Sequence, residues 1–484
     1  LSSLLLALLL QAAPATELVV GTLTDPASLD PHRSTDVVAA EILANVCETL
    51  VRVRPGTLRP EGVLATAWAT RDQRVWTFTL REGVRFHDGS ALDADAVVAN
   101  LDRLRRERGF PGQALRVGPH LVQIALDRAN AALLPTLSQP QFAIQSPRQL
   151  GFPGNPPVGT GPFRVHDVRP ALVELLSFPR YWGGAPRLER LVFRRFADAS
   201  KLVQALTTGA ADVSSAIGPA DVASLRARPD LALDSQTGLN LVYLAVNDER
   251  APFRDVRVRQ ALSRAIDRHA LLHMLGGHAE AAHGPLPPSV FGRDIRVREL
   301  RLDRDSARRL LLAARLPDGT ELTLSVSRAP RPYLSDPLAI AARIRDDLAA
   351  VGLAVRLREA PSWPEQVALT SRGDFELALL GWRADTLDPN DFLTALLDSA
   401  SLGTTNRSRY RSEAMDSLLK RARMDGAPRA RQALYREALD LFQRDMPFVP
   451  LLHASSFTVH RREVVGLVIG PTGILRFDKA WKQH

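Results

Sequence analysis

Strand-like and helix-like runs alternate along both halves of this chain, and that alternation restricts the fold to packed α/β lobes. Residues 17–23 (ELVVGTL) form a short apolar run entering the turn-rich segment 24–28, and residues 75–80 (VWTFTL) alternate as a half-buried strand does. Residues 81–90 (REGVRFHDGS) read as a second short strand with a turn, and Asp93 as the cap of a helix over 93–106. Helical spacing covers 37–51, 199–208 and 255–275, the last ending at Gly276-Gly277. The stretch 151–161 (GFPGNPPVGTG) is too rich in Gly and Pro for the interior of any element, so it connects substructures. Strand-like 163–168 and 172–178 follow, then 239–246 (LNLVYLAV), a buried strand by composition. Strands over 321–326, 354–357 and 376–381, with helices over 336–351, 412–424 and 430–442, fill the C-terminal half. No repeat of 20 to 50 residues interrupts this order.

One cysteine, Cys47, stands in 484 residues, which excludes an intrachain disulfide, a thiolate zinc cluster and a CxxC redox pair. It falls among the apolar positions of 37–51 and reads as an inert buried residue. The net charge of +9 is carried almost wholly by Arg, since Lys occurs only at Lys201, Lys420, Lys479 and Lys482. The Arg residues alternate with Leu, Val, Asp and Glu, as on the wet side of amphipathic helices, so the charge does not point to nucleic acid. Residues 1–10 are apolar apart from Ser2 and Ser3, and Ala13-Pro14-Ala15 has the small-residue pattern of a cleavage site. That run is too short to span a bilayer and reads as a secretory signal cleaved after Ala15, so an exported, periplasmic protein is expected. With no Cys at the cleavage point, a lipid anchor is not supported.

The sequence holds no HExxH, Gly-x-Ser-x-Gly, GxxxxGK[ST] or GxGxxG, and catalysis has no specific support. His269 and His273, four residues apart on a helical run, with His278 and His283 beyond, form the best metal candidate; they lack the Glu and Cys that would complete it. No cofactor is expected.

Six segments in order resemble one family, the extracellular solute-binding proteins of the dipeptide and oligopeptide type (family 5) that serve ABC transporters. They are Leu29-Asp30-Pro31; residues 65–100, from ATAW through REGVRFHDGS to DAVVAN; residues 157–163 (PVGTGPF); Tyr181-Trp182; Val246-Asn247 with 252–261; and Gly381-Trp382 to Asp388-Pro389. The resemblance implies a two-lobed α/β periplasmic-binding-protein fold (type II, large peptide-binding class) with an additional small subdomain. Its expected layout is a signal at 1–15, lobe I at 16–38, the small outer subdomain at 39–155, lobe I again at 156–245, lobe II at 246–455, and a return to lobe I at 456–484. Crossing strands near 241–247 and 449–457 would be the hinges.

The resemblance also implies a site. The ligand lies between the lobes like an added strand, held by main-chain bonds near Asp25 and Ala27 and along Gly381, Trp382 and Arg383. Asp385, three residues after the Trp, takes the position that captures a ligand's α-amine; its other reading is a capping or turn Asp before Asp388-Pro389. Trp382 either packs on the ligand or belongs to the core, and Tyr181-Trp182 reads as structural. Some members carry an Arg two residues before the Gly of the Gly-Trp pair to meet a ligand carboxylate, and this chain has Leu379 there. The implied function is a monomeric receptor that binds short peptides and delivers them to permease subunits. The same fold would serve a metal chelate, haem, opine or sugar, with Leu379 and the histidine group as the features favouring that; an exported hydrolase is the reading from another class.

Overall fold

One long strand ties the molecule together. Phe448–Arg461 (FVPLLHASSFTVHR) is buried along almost its whole length, and its two ends belong to different lobes. Its first half pairs antiparallel with Asn240–Val246, with a register shift at Val242/Tyr243 beside the partner Pro450, which has no N–H to give the ladder. Its second half pairs with Leu231–Thr237, from Thr237 opposite Ser455 to Leu231 opposite Arg461. The computed structural model in which this is seen describes residues 17–34, 36–54, 59–150, 155–290 and 297–483. The expected signal at 1–15 lies outside them, as do residues 151–154 of the Gly- and Pro-rich stretch; residues 155–161 form no strand or helix.

On one side of the long strand, Val213–Ser214, Glu17–Thr22, Arg190–Arg195, Leu172–Ser177 and Phe163–Arg169 extend the sheet as lobe I. On the other side, Asn240–Val246, Leu377–Arg383, Thr320–Ser327 and Leu353–Ala360 form lobe II. The apolar run at 240–246 is explained there. Val242, Leu244 and Val246 enter one core with Phe253 and Ile344, while Leu241, Tyr243 and Ala245 enter another with Phe392 and Phe442. A strand covered on both faces has no use for polar alternation.

A separate four-stranded sheet, Ala65–Thr70, Val75–Leu80, Leu121–Leu126 and Gly112–Gly118 in that spatial order, makes the small subdomain. Trp76, Phe78 and Leu80 face its core, as the alternation of 75–80 requires, and helix Ala94–Arg108 contributes Val97 and Leu101 to it. Asp93 caps that helix, its carboxylate accepting from Ala96 N at 2.9 Å. The helix Val37–Val46 packs instead with Leu18, Val20 and Phe163 in the lobe I core.

Three local expectations change. Residues 81–90 hold no strand beyond a single bridge, Arg85 to Ala91; the segment is a turn closed by Phe86 N to Ser90 O. The helical run 255–275 is two helices, Val256–Ala265 and Arg268–Met274, because Ile266 is extended and Asp267 caps the second, accepting from Ala270 N at 3.1 Å. The run 37–51 stops at Val46, where Cys47 turns extended. The reason lies in PVGTGPF: Gly161 N donates to Val46 O at 2.9 Å, and a Cβ on Gly159 would sit 2.1 Å from Val46 O. Two glycines thus let this loop lie directly on the backbone at the helix end.

The chain passes between lobes at 237–240 and at 452–455, side by side. Asn240 clamps the two passages together: its amide nitrogen donates to Ala454 O and its amide oxygen accepts from Ala454 N, both at 2.8 Å. Gly238 N donates to the same Ala454 O at 3.0 Å.

Candidate functional site

A cleft of about 290 Å³ opens where the end of strand Leu377–Arg383 faces helix Val37–Val46 and the C-terminal segment near Arg476. Its lobe II wall is residues 383–387. This wall is shaped by the loop after the strand: Asp391 accepts from Asp385 N and Thr386 N, each at 2.8 Å. Burial lifts the Asp391 carboxyl to about 6. Asp388 accepts from Asn390 N at 2.9 Å and meets the buried Arg431 guanidinium at 2.9 Å on both carboxylate oxygens. Asp388 and Asp391 therefore make the turn before helix Asn390–Leu397, and Asp385 does not. No hydrogen-bond donor or cation among the described residues meets the Asp385 carboxylate, which reaches the cleft. The enclosing walls raise its pKa, and the Arg383 charge opposes them.

The remaining expected site residues sit elsewhere. Gly381 pairs with Val242 inside the sheet, and a Cβ there would come 2.1 Å from the Tyr333 ring, so glycine makes room for an aromatic. Trp382 donates its indole N–H to Asp391 O at 3.0 Å and packs on the lobe II core. Leu379 is buried in that lobe's other core, opposite Leu244. Asp25 pairs with Arg195 and accepts from Ala171 N, both at 3.1 Å, while Ala27 N donates to Asp36 Oδ2 at 3.0 Å. Thus Arg383 and Asp385 are brought to the cleft, and Asp25, Ala27, Gly381 and Trp382 are not among its lining residues.

The lobe I wall carries groups that sequence reasoning missed: Glu48, Arg52, Arg476 and Asp478. Glu48 is buried behind the cleft and accepts from Trp182 Nε1 at 2.7 Å, Thr160 Oγ1 at 2.8 Å and Tyr181 Oη at 2.9 Å. Burial raises its carboxyl to about 7, against the pull of those three donors and of Arg52. The Tyr181-Trp182 pair and the PVGTGPF loop therefore meet at one carboxylate. A carboxylate at the end of an apolar helical run was the available signal, since it must find donors when buried.

One electrostatic interaction links lobe II with the helix Val37–Val46. Arg383 of lobe II acts on Glu41 of that helix, opposing the burial that lifts the Glu41 carboxyl to about 7. Burial also pushes the Cys47 thiol well above its usual range, in keeping with an inert residue. The histidine group stays apart from the cleft: His278 packs edge-on against Phe457, and His283 accepts from Leu300 N at 3.2 Å. Among the described residues, no group of three or more His, Cys, Asp or Glu side chains is placed to hold a metal ion.

This architecture matches known proteins over nearly its full length. Residues 59–403 match the bacterial extracellular solute-binding proteins, family 5. The chain is 31% identical to di/tripeptide-binding protein 2 of Pseudomonas aeruginosa, over 97% of this chain and 95% of that one. Its fold superposes on HbpA2 from Haemophilus parasuis with a TM-score of 0.90 at 27% identity, covering 97% of this chain and all (100%) of that one. It superposes on a dipeptide-binding protein from Pseudoalteromonas sp. SM9913, solved with Met-Leu, with a TM-score of 0.80 at 26% identity, covering 96% and 100%.

Proposed function

Because the chain belongs to the family 5 bacterial extracellular solute-binding proteins, we propose that it is the receptor of an ABC importer, binding short peptides between its lobes and delivering them to membrane permease subunits. The observation that carries this reading is the Asp385 carboxylate, partnerless in a cleft walled by both lobes. Asp385 is solvent-exposed in the cleft and no protein group engages its carboxylate, so an incoming α-ammonium can take it up in a charge-assisted hydrogen bond. The relatives support the choice of cargo, since the printed name of one is a di/tripeptide-binding protein and another was solved with Met-Leu.

Closure follows from the same arrangement. The lobes meet through two adjacent passages, at 237–240 and 452–455, so rotation there changes few contacts. A ligand touching both walls binds the closed form better than the open one, and that difference drives closure. In this reading lobe I takes helix Val37–Val46, the strands within 17–22 and 163–237 and the segment after 455, the outer subdomain is built on the sheet within residues 65–126, and lobe II takes 240–452, so the expected bounds at 39 and 245 shift. The protein acts as a periplasmic monomer, with no catalytic step and no cofactor.

The test is native mass spectrometry of the gently purified protein. A ladder of adducts at short-peptide masses, lost on Asp385→Asn, is the expected result. A single recurrent non-peptide mass, unaffected by that substitution, overturns the peptide reading.

A further inference from the structure

The cleft holds a second partnerless charge, on the lobe opposite Asp385. Arg476 lies on the short strand Leu475–Arg476, and the backbone on both sides of it is fixed by one side chain. Asn45 Nδ2 donates to Leu475 O at 3.0 Å, and Asn45 Oδ1 accepts from Phe477 N at 2.9 Å. Leu475 and Phe477 are fully buried in the lobe I core, which leaves Arg476 on the cleft wall between them. No carboxylate or other acceptor among the described residues meets its guanidinium within hydrogen-bonding or ion-pairing distance. Burial and the neighbouring Arg52 charge act against its protonated form, opposed in part by Asp478, Tyr181 and Glu61.

The groups around it complete a pattern. Arg52 shares a single carboxylate, Glu61, with Arg54. Asp478, two residues on, has a buried Oδ1 with no hydrogen-bond donor. The wall therefore offers a planar five-donor fork, with a second guanidinium, that of Arg52, close by. The end of a peptide presents the matching group, a carboxylate.

We propose that Arg476, assisted by Arg52, anchors the α-carboxylate end of a peptide whose α-ammonium lies on Asp385. The proposal rests on the peptide reading above and narrows it to peptides with both termini free. It also answers the absence of an Arg at 379, where the Leu side chain is committed to the core. Asp385 belongs to lobe II and Arg476 to lobe I, so the two ionised ends of one ligand hold opposite lobes. A peptide lacking either charge grips only one.

The experiment is isothermal titration calorimetry of the wild-type protein and Arg476→Met with trialanine, its C-terminal amide and its N-acetyl form. Trialanine is expected to bind the wild type at least tenfold more tightly than the amide. Arg476→Met is expected to lose at least tenfold for trialanine and to bind acid and amide equally, while still discriminating against the N-acetyl form. Equal binding of acid and amide by the wild type, with the N-acetyl form weaker, overturns the Arg476 assignment and leaves the peptide receptor standing. An Arg476→Met protein that still prefers the acid overturns it as well. Should circular dichroism show that variant unfolded, the wild-type acid and amide pair decides alone. Binding of none of the three ligands by the wild type removes the peptide reading and this assignment with it.

Discussion

The side chain of Asn240 and the backbone of Ala454 are joined by two hydrogen bonds of 2.8 Å, so the two passages between the lobes are stitched at a single point. His453 adds a third bond, from its ring to Asn240 O at 2.8 Å. Replacing Asn240 with Ala strands a buried N–H, and each unsatisfied buried group costs about 1–3 kcal/mol. Asn240→Ala is expected to lower the midpoint of thermal unfolding by several degrees and to loosen the junction, read as faster hydrogen exchange at Ala454. An unchanged midpoint would show that the passages hold together without this clamp.

Asp385 has no protein partner for its carboxylate to lose. Asp385→Asn is therefore expected to leave stability within about 0.5 kcal/mol of wild type, as for substitutions that break no buried contact. Peptide affinity, by contrast, should fall at least tenfold, since a hydrogen bond to a charged group contributes about 1.5–3 kcal/mol. Calorimetry of binding and a denaturation curve on the same preparation separate the two effects. A large loss of stability with affinity retained would place Asp385 in the scaffold.

The loop that presents Asp385 rests on the buried pair Asp388 and Arg431, the latter also bonded to Tyr435 Oη at 2.9 Å. Removing one member of such a pair leaves an uncompensated buried charge and costs roughly 3–5 kcal/mol. Arg431→Met is expected to show that loss in a urea titration, and peptide binding should weaken with it as Asp385 loses its support. Asp388→Asn, which keeps an acceptor for Arg431, should be milder. Equal damage from both would argue that charge neutralisation matters more than the bonds.

Glu48 predicts a pH dependence. Its carboxyl titrates near an ordinary 4.5 in the unfolded chain and at about 7 in the folded protein. Between those values the folded state holds a proton the unfolded state has released, so this stabilising contribution is complete below about 4.5 and is lost as pH rises to 7. His32, His87 and His453 are lowered by burial to about 4 and act in the opposite sense over much of the same window. The useful quantity is thus the difference between wild type and Glu48→Gln. That difference in unfolding midpoint should shift against the wild type from pH 4.5 to 7; a flat difference would mean Glu48 is ionised throughout.

Gly159 carries a steric prediction. A methyl group there would meet Val46 O at 2.1 Å and Cys47 Sγ at 2.7 Å, and the loop would lift Thr160 off Glu48. Gly159→Ala is expected to destabilise the protein by about 1–3 kcal/mol, as overpacking does. A thermal melt checks it, and wild-type behaviour would show that the loop shifts freely.

Most of the elements could be read from the sequence because their burial is simple. Strand 240–246 is apolar throughout since both faces are covered, and 75–80 alternates since it has a single core face. The break at Ile266 was hidden because apolar positions keep helical spacing across it, and only the Asp267 cap marks the new start. At the site, Arg383 and Asp385, expected from the resemblance around Gly381-Trp382, line the cleft. Asp25 and Ala27 were carried over the same way, yet local bonds to Arg195 and Asp36 hold them away from the cleft lining. Glu48 and Arg476 escaped notice because they come from opposite ends of the chain and acquire meaning only when Asn45 ties those ends together.

That tie has a bearing on the order of assembly. Lobe II comes from one uninterrupted stretch, whereas strand Glu17–Thr22 reaches the long strand only through Val213–Ser214, which pairs with Val459 and His460. As a chain emerges from its N-terminus, lobe II can gather its core while lobe I still waits for its last strand and for Phe477. The segment around Phe477 then acts as a keystone, and the wall that bears Arg476 comes into being only once that segment has joined Asn45.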